Sequence, residues 1–190
     1  MYDAALIKPE KVNELKWFTN KIKAGKERYD AVVLSLGNGM PYWFVGIIHL
    51  MEGGGKFSTH LHNGDPLTAR TKNVPKGRPL KGQPPFSWEE SAIDALCYMK
   101  YDKVTDWSIQ NCLVLFERYN GMGYKKKGLP SPYLWSYTQL KKKGKYAFDG
   151  KYGSISTSST RSVRRQRAAH QRGGIPVTRR VVGRSQSHRG

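Results

Sequence analysis

Between Tyr42 and Glu52, apolar residues recur at Trp43, Phe44, Ile47, Ile48 and Met51. That one-sided stripe predicts a buried amphipathic helix over 42–52. Gly53-Gly54-Gly55 follows at once and cannot cheaply continue a helix, so the chain turns there. Earlier patterns predict a helix over 9–23, with Val12, Leu15, Trp17 and Phe18 apolar, and another from about Glu27 to Leu36, closed by Gly37-Asn38-Gly39. Residues 74–85 are too rich in Pro and Gly for a helix. Ser87-Trp88-Glu89-Glu90 then reads as a capping box opening a fourth helix, to about Tyr101, with Ile93, Leu96, Cys97 and Met99 facing inward. Asp106 is the expected cap of a fifth, burying Ile109, Cys112, Leu113 and Phe116, and Pro132 starts a short sixth. No internal repeat is seen.

The polar stretch after the glycines changes the picture. Phe57-Ser58-Thr59-His60-Leu61-His62 alternates as a short strand does, and Asn63-Gly64 is a tight-turn signal. A small β-hairpin is therefore expected beside the third helix. Asp65 lies just past the turn and Thr71 lies six residues later. Glu52 sits at the lip of a buried helix, half out of water. Desolvation disfavours a charged carboxylate, which suits such a group to hold a proton and donate it as a general acid. The bland alternatives are a surface Glu at a helix end, an Asx-type turn at Asp65 and a plain strand residue at Thr71.

Composition bounds the answer. The chain has 190 residues, 38% apolar and 12% aromatic, enough for one compact domain. No apolar run reaches the length of a membrane span, and the N-terminus lacks a basic start followed by an apolar core, so no signal peptide is expected. Cys97 and Cys112 are read as reduced core thiols. The net charge is +19, and residues 154–190 hold nine arginines with no lysine and no acid. The Ser/Thr-rich seam at 154–160 marks a boundary between a domain over 1–153 and a flexible, Arg-rich, polyanion-binding tail over 154–190. Tyr119, Tyr124, Tyr133, Trp135 and Tyr137 are interleaved with Lys125-Lys126-Lys127, a mixture that suits sugar rings or single-stranded nucleic acid.

The order Glu52, polar turn, Asp65, five residues, Thr71 resembles the lysozyme-like endolysins of bacteriophages. The gap from Asp65 to Thr71 matches the phage-type muramidases, whereas the gap from Glu52 to Asp65 is longer here. The phrases Thr59-His60-Leu61-His62-Asn63-Gly64-Asp65-Pro66-Leu67, Tyr119-Asn120-Gly121 and Pro130-Ser131-Pro132-Tyr133-Leu134-Trp135 are also similar to phrases of that group, over about residues 40–153. The resemblance implies a mainly α (α+β) fold: a lysozyme-like helical bundle with one small β-hairpin beside the catalytic helix, followed by the basic tail. It implies cleavage of the β-1,4 bond between N-acetylmuramic acid and N-acetylglucosamine, by the lysozyme or the lytic transglycosylase route, with Glu52, Asp65 and Thr71 catalytic. Candidate glycan-binding residues are His62, Asn63, Tyr119, Asn120, Tyr124 and Tyr133.

The expected partners are peptidoglycan glycan strands and, through the tail, anionic envelope components such as lipopolysaccharide. The expected state is a monomer made in the host cytoplasm and released to the cell wall at lysis, with no cofactor and no metal. Two rival readings stand beside it. His49, His60 and His62, with Glu52 and Asp65, are zinc-ligand types and suggest a zinc-dependent peptidoglycan amidase or peptidase, although H-x-x-E followed by H-x-H matches no zinc signature of hydrolases. The +19 charge suggests a non-enzymatic nucleic-acid-binding protein.

Overall fold

Each predicted helical stripe becomes a helix, and a glycine stands at the C-cap of each of the first three. In a computed structural model, which describes residues 2–140 and the strand residues 146–148 and 151–152, α1 spans Val12–Ala24 and α2 Lys26–Leu36. Then come α3 (Tyr42–Gly53), α4 (Trp88–Tyr98) and α5 (Ile109–Tyr119). The short α6 (Gly123–Lys126) and α7 (Pro132–Trp135) follow. Two short strands, β1 (Tyr146–Phe148) and β2 (Lys151–Tyr152), pair antiparallel with Tyr146 opposite Tyr152. The described residues are thus mainly helical, and among them no helix is long and apolar enough to cross a membrane. The expected tail over 154–190 lies outside the described residues.

Helix α3 is the centre of the molecule. Phe44, Val45, Ile48 and His49 are fully buried. Phe44 stacks on Phe116 of α5 at 4.5 Å and meets Trp107 at 5.1 Å. On the other side, His49 lies among Tyr29 of α2, Phe57 and Trp88. Helix α3 ends as its glycines require: Gly54 adopts a left-handed φ of 61°, and its amide closes on the carbonyls of His49 and Leu50. The Lys21 ammonium of α1 donates to the Gly54 carbonyl at 2.8 Å, a cation placed at the negative end of the helix.

The capping box at α4 forms in full, with the Glu90 amide donating to Ser87 Oγ at 3.1 Å and the Ser87 amide to Glu90 Oε2 at 2.8 Å. At α5 the cap is Ser108 rather than Asp106; Asp106 accepts from the Ser108 amide and so sits two residues before the cap. Two inward assignments fail. Cys97 is exposed because the buried stripe of α4 runs Trp88, Ala92, Ala95 and Leu96. Ile109, in the first turn of α5, is also exposed, while Ile93, Met99 and Leu113 are half-buried. Both cysteines are free thiols.

The hairpin expected after Glu52 does not form as a pair of strands. One antiparallel bridge joins Thr59 to Pro66. The His60 amide donates to the Asp65 carbonyl at 2.7 Å, and the Leu67 amide to the Ser58 carbonyl at 3.2 Å. Pro66 has no amide hydrogen to give and interrupts any ladder at that point. Side chains, rather than strand pairing, hold the segment beyond it.

Candidate functional site

Glu52 occupies the last turn of α3 and is half-buried. The residue after it has no room for a side chain. A Cβ on Gly53 would lie 2.8 Å from Thr59 Oγ1, so the polar loop passes directly against the helix end. The Asn120 amide group, at the C-cap of α5, reaches Met51 Sδ at 3.9 Å, bringing the end of α5 beside the end of α3.

The loop from Phe57 to Phe86 carries most of the remaining candidates, and His60 through Asp65 are consecutively buried. His60 spends both ring nitrogens. Nε2 donates to the Ala69 carbonyl at 2.8 Å, which leaves Nδ1 to accept from Ser91 Oγ at 2.8 Å. Asn63 forms an Asx turn, its Oδ1 accepting from the Asp65 amide at 2.9 Å, while its Nδ2 donates to the Asn73 carbonyl at 3.1 Å. The Asp65 carboxylate accepts from the amides of Lys72 (2.9 Å) and Asn73 (3.0 Å) and from the Asn73 side chain (2.7 Å). The Thr71 hydroxyl donates to the Pro75 carbonyl and accepts from the Arg78 amide at 2.9 Å. Asp65 and Thr71 thus each bind loop backbone several residues away.

His62 reaches out of the loop. Its side chain is fully buried, and its Nε2 lies 2.8 Å from Asp94 Oδ2 on α4. Asp94 also pairs with Arg78 at 3.3 Å and accepts from the Leu80 amide at 3.4 Å. One carboxylate therefore holds both ends of the 62–80 segment. Burial pushes the His62 imidazole down to about 4, against the opposing pull of Asp94. His49 is likewise pushed down to about 4 by burial, while its Nδ1 contacts the Tyr29 hydroxyl at 3.0 Å. Both rings are neutral near pH 7.

Tyr119 anchors the loop from α5, its hydroxyl donating to the Leu61 carbonyl at 2.9 Å. Tyr124 and Tyr133 meet edge to face at 6.2 Å across α6 and α7. Of the histidines of the zinc alternative, His60 and His62 meet ring to ring at 5.9 Å, but each of the three is bonded to a different side chain, and among the described residues no group of three or more His, Cys, Asp or Glu is arranged to hold a metal.

Ser91, Asp94, Arg78 and Arg118 were not singled out from the sequence. A signal for the first two was present. Ser91 and Asp94 are one turn apart among apolar neighbours on α4, and that spacing meets His60 and His62, two apart on an extended segment. No protein-family model matches this chain, and neither a curated protein nor a solved structure does.

Proposed function

We propose that this chain is a peptidoglycan hydrolase built on a lysozyme-like helical domain, cleaving the β-1,4 bond between N-acetylmuramic acid and N-acetylglucosamine. The carrying observation is the position of Glu52: a half-buried carboxylate in the last turn of an apolar helix, beside a loop whose polar side chains are bonded to its own backbone and to α4. Glu52 protonates the leaving oxygen of the glycosidic bond. The oxocarbenium-like centre is captured by water, the lysozyme outcome, or by the muramic 6-hydroxyl, the lytic transglycosylase outcome.

Asp65 and Thr71 serve this chemistry by shaping the loop, because their oxygens accept from backbone amides within it. Rigid support of this kind holds a catalytic group in its productive geometry. Asn63, Tyr119 and Asn120 belong to the same neighbourhood and frame the approach of the glycan, while the half-buried Tyr133, packed against the buried Tyr124, offers an aromatic face to sugar rings further along. The Arg-rich residues 154–190 draw the protein to anionic envelope components by long-range attraction.

Mass spectrometry of the products from purified peptidoglycan tests the reading. Reducing muramic ends identify a lysozyme and anhydro ends a lytic transglycosylase. Free peptides with intact glycan would reject glycosidic cleavage in favour of an amidase or peptidase, and an undigested wall would reject hydrolysis altogether.

A further inference from the structure

Helix α1 turns a mixed apolar and basic face outward, and none of its thirteen residues is buried. Val12, Leu15, Lys16, Thr19 and Lys23 share one side at helical spacing, and with Ile7 they line a groove of about 290 Å³. Ile7 is 56% exposed and Val12 39%. The chain at Ile7 is nonetheless fixed: the Lys8 amide donates to the Tyr137 carbonyl at 2.9 Å, and the Gln139 amide to the Leu6 carbonyl at 3.2 Å. Lys16 and Lys23 are exposed and pair with no carboxylate among the described residues. Lys21, by contrast, is bound to the Gly54 carbonyl. The one acid of α1, Glu14, is engaged by Lys11 at 2.8 Å and by the Tyr137 hydroxyl at 2.6 Å. Across residues 7–27 six lysines stand against three glutamates, and no acid is among the described residues lining the groove.

We propose that this face docks on an anionic lipid surface, with α1 lying flat in the headgroup region. Ile7 and Val12 enter the acyl boundary, and Lys16 and Lys23 meet lipid phosphates. At 1.5 Å per residue, positions 12 and 23 are about 16 Å apart, so the face reaches several headgroups at once. Other occupants use less of it. A soluble polyanion meets the lysines and leaves Ile7 and Val12 in water. An apolar protein surface covers those two and strands both cations. The Arg-rich residues 154–190 supply long-range attraction, which salt screens; the α1 face adds apolar contact, which salt does not. The assignment concerns binding alone and does not depend on glycan cleavage.

The test is binding of the full chain to lipid nanodiscs of phosphatidylglycerol mixed with phosphatidylcholine, and to discs of phosphatidylcholine alone, each carrying a trace of spin-labelled lipid. The mixed discs should bind the chain and broaden the methyl signals of Ile7 and Val12. Leu80 is the control, 68% exposed with its amide directed to Asp94 on α4, and its methyls should broaden less. Lys16→Gln combined with Lys23→Gln should keep the melting temperature and weaken binding to mixed discs about thirtyfold, roughly fivefold for each charge. The proposal is overturned if the double variant binds mixed discs like the unaltered chain, if neutral discs bind equally well, or if Ile7 and Val12 broaden no more than Leu80. Should soluble polyphosphate move the Lys16 and Lys23 signals while the discs leave Ile7 and Val12 sharp, the face serves a soluble polyanion and the lipid assignment fails.

Discussion

Helix α1 is regular from Val12 to Ala24 and buries no residue, whereas the segment from Phe57 to Phe86 contains no helix or strand and buries His60, Leu61, His62, Asn63, Asp65 and Thr71. Between these two regions regular backbone and burial part company, whereas α3 combines both. In α1 the backbone satisfies itself, Ile22 packs against Gly46 of α3, and Phe18 meets Tyr137 edge to face. The loop buries Leu61, Leu67 and Phe86, but beside them it also buries five polar side chains, and each of those depends on one or two partner residues. Such a network is rigid when complete and vulnerable at each member. That combination suits a support for a reacting group, and it makes the two regions respond differently to perturbation.

Acid should separate them most. His62 and His49 have folded values near 4, below the ordinary 6.5. Their neutral forms contribute stability that is fully present above 6.5 and is lost as pH falls from 6.5 toward 4, because the unfolded chain takes up those protons first. The loss should be on the order of 3 kcal/mol for each histidine. Denaturant unfolding at pH 7, 5.5 and 4 measures it, and a flat profile over that range would break the account of the buried imidazoles.

Asp94→Ala comes next. It strips the partner from a buried His62 and a mostly buried Arg78 at once, and a cost of about 4 kcal/mol is expected for orphaning such groups. Hydrogen exchange should show the amides of 62–80 opening ahead of α2 and α3. Gly53→Ala is milder. The new methyl would press on Thr59 Oγ1, itself bonded to the Lys56 carbonyl at 3.0 Å; about 1–2 kcal/mol of overpacking is expected, with a fall in wall hydrolysis because Glu52 is adjacent. The smallest effect belongs to α1. Trp17 is 56% exposed and touches Phe18 and the Lys21 ammonium, so Trp17→Ala should cost no more than about 1 kcal/mol. A larger loss on chemical unfolding would erase the contrast between the regions.

The sequence carried the helices better than the loop. The stripe through Phe44, Ile48 and Met51, the three glycines after Glu52 and the Ser87–Glu90 box are local signals, and local signals set helix ends. Cys97 and Ile109 were misread because an apolar residue in a helix says nothing alone about which face meets the core; tertiary packing decides. The strand pair was over-read because alternation at Phe57–His62 predicts the pleat but not Pro66 on the opposite side. Within the candidate site, the place of Glu52 was legible and the partnerships were not. His62 meets Asp94 across 32 positions of sequence, and no periodicity links them.

The central claim is that Glu52 supplies the proton that breaks the glycan. Glu52→Gln keeps the size and the hydrogen-bonding reach of the side chain but has no acidic proton. The measurement is the rate of glycan cleavage on purified peptidoglycan by this variant, taken beside its melting temperature. The account predicts an unchanged melting temperature with a rate lowered about a hundredfold or more. A folded Glu52→Gln variant that cleaves at the rate of the unaltered chain would contradict it.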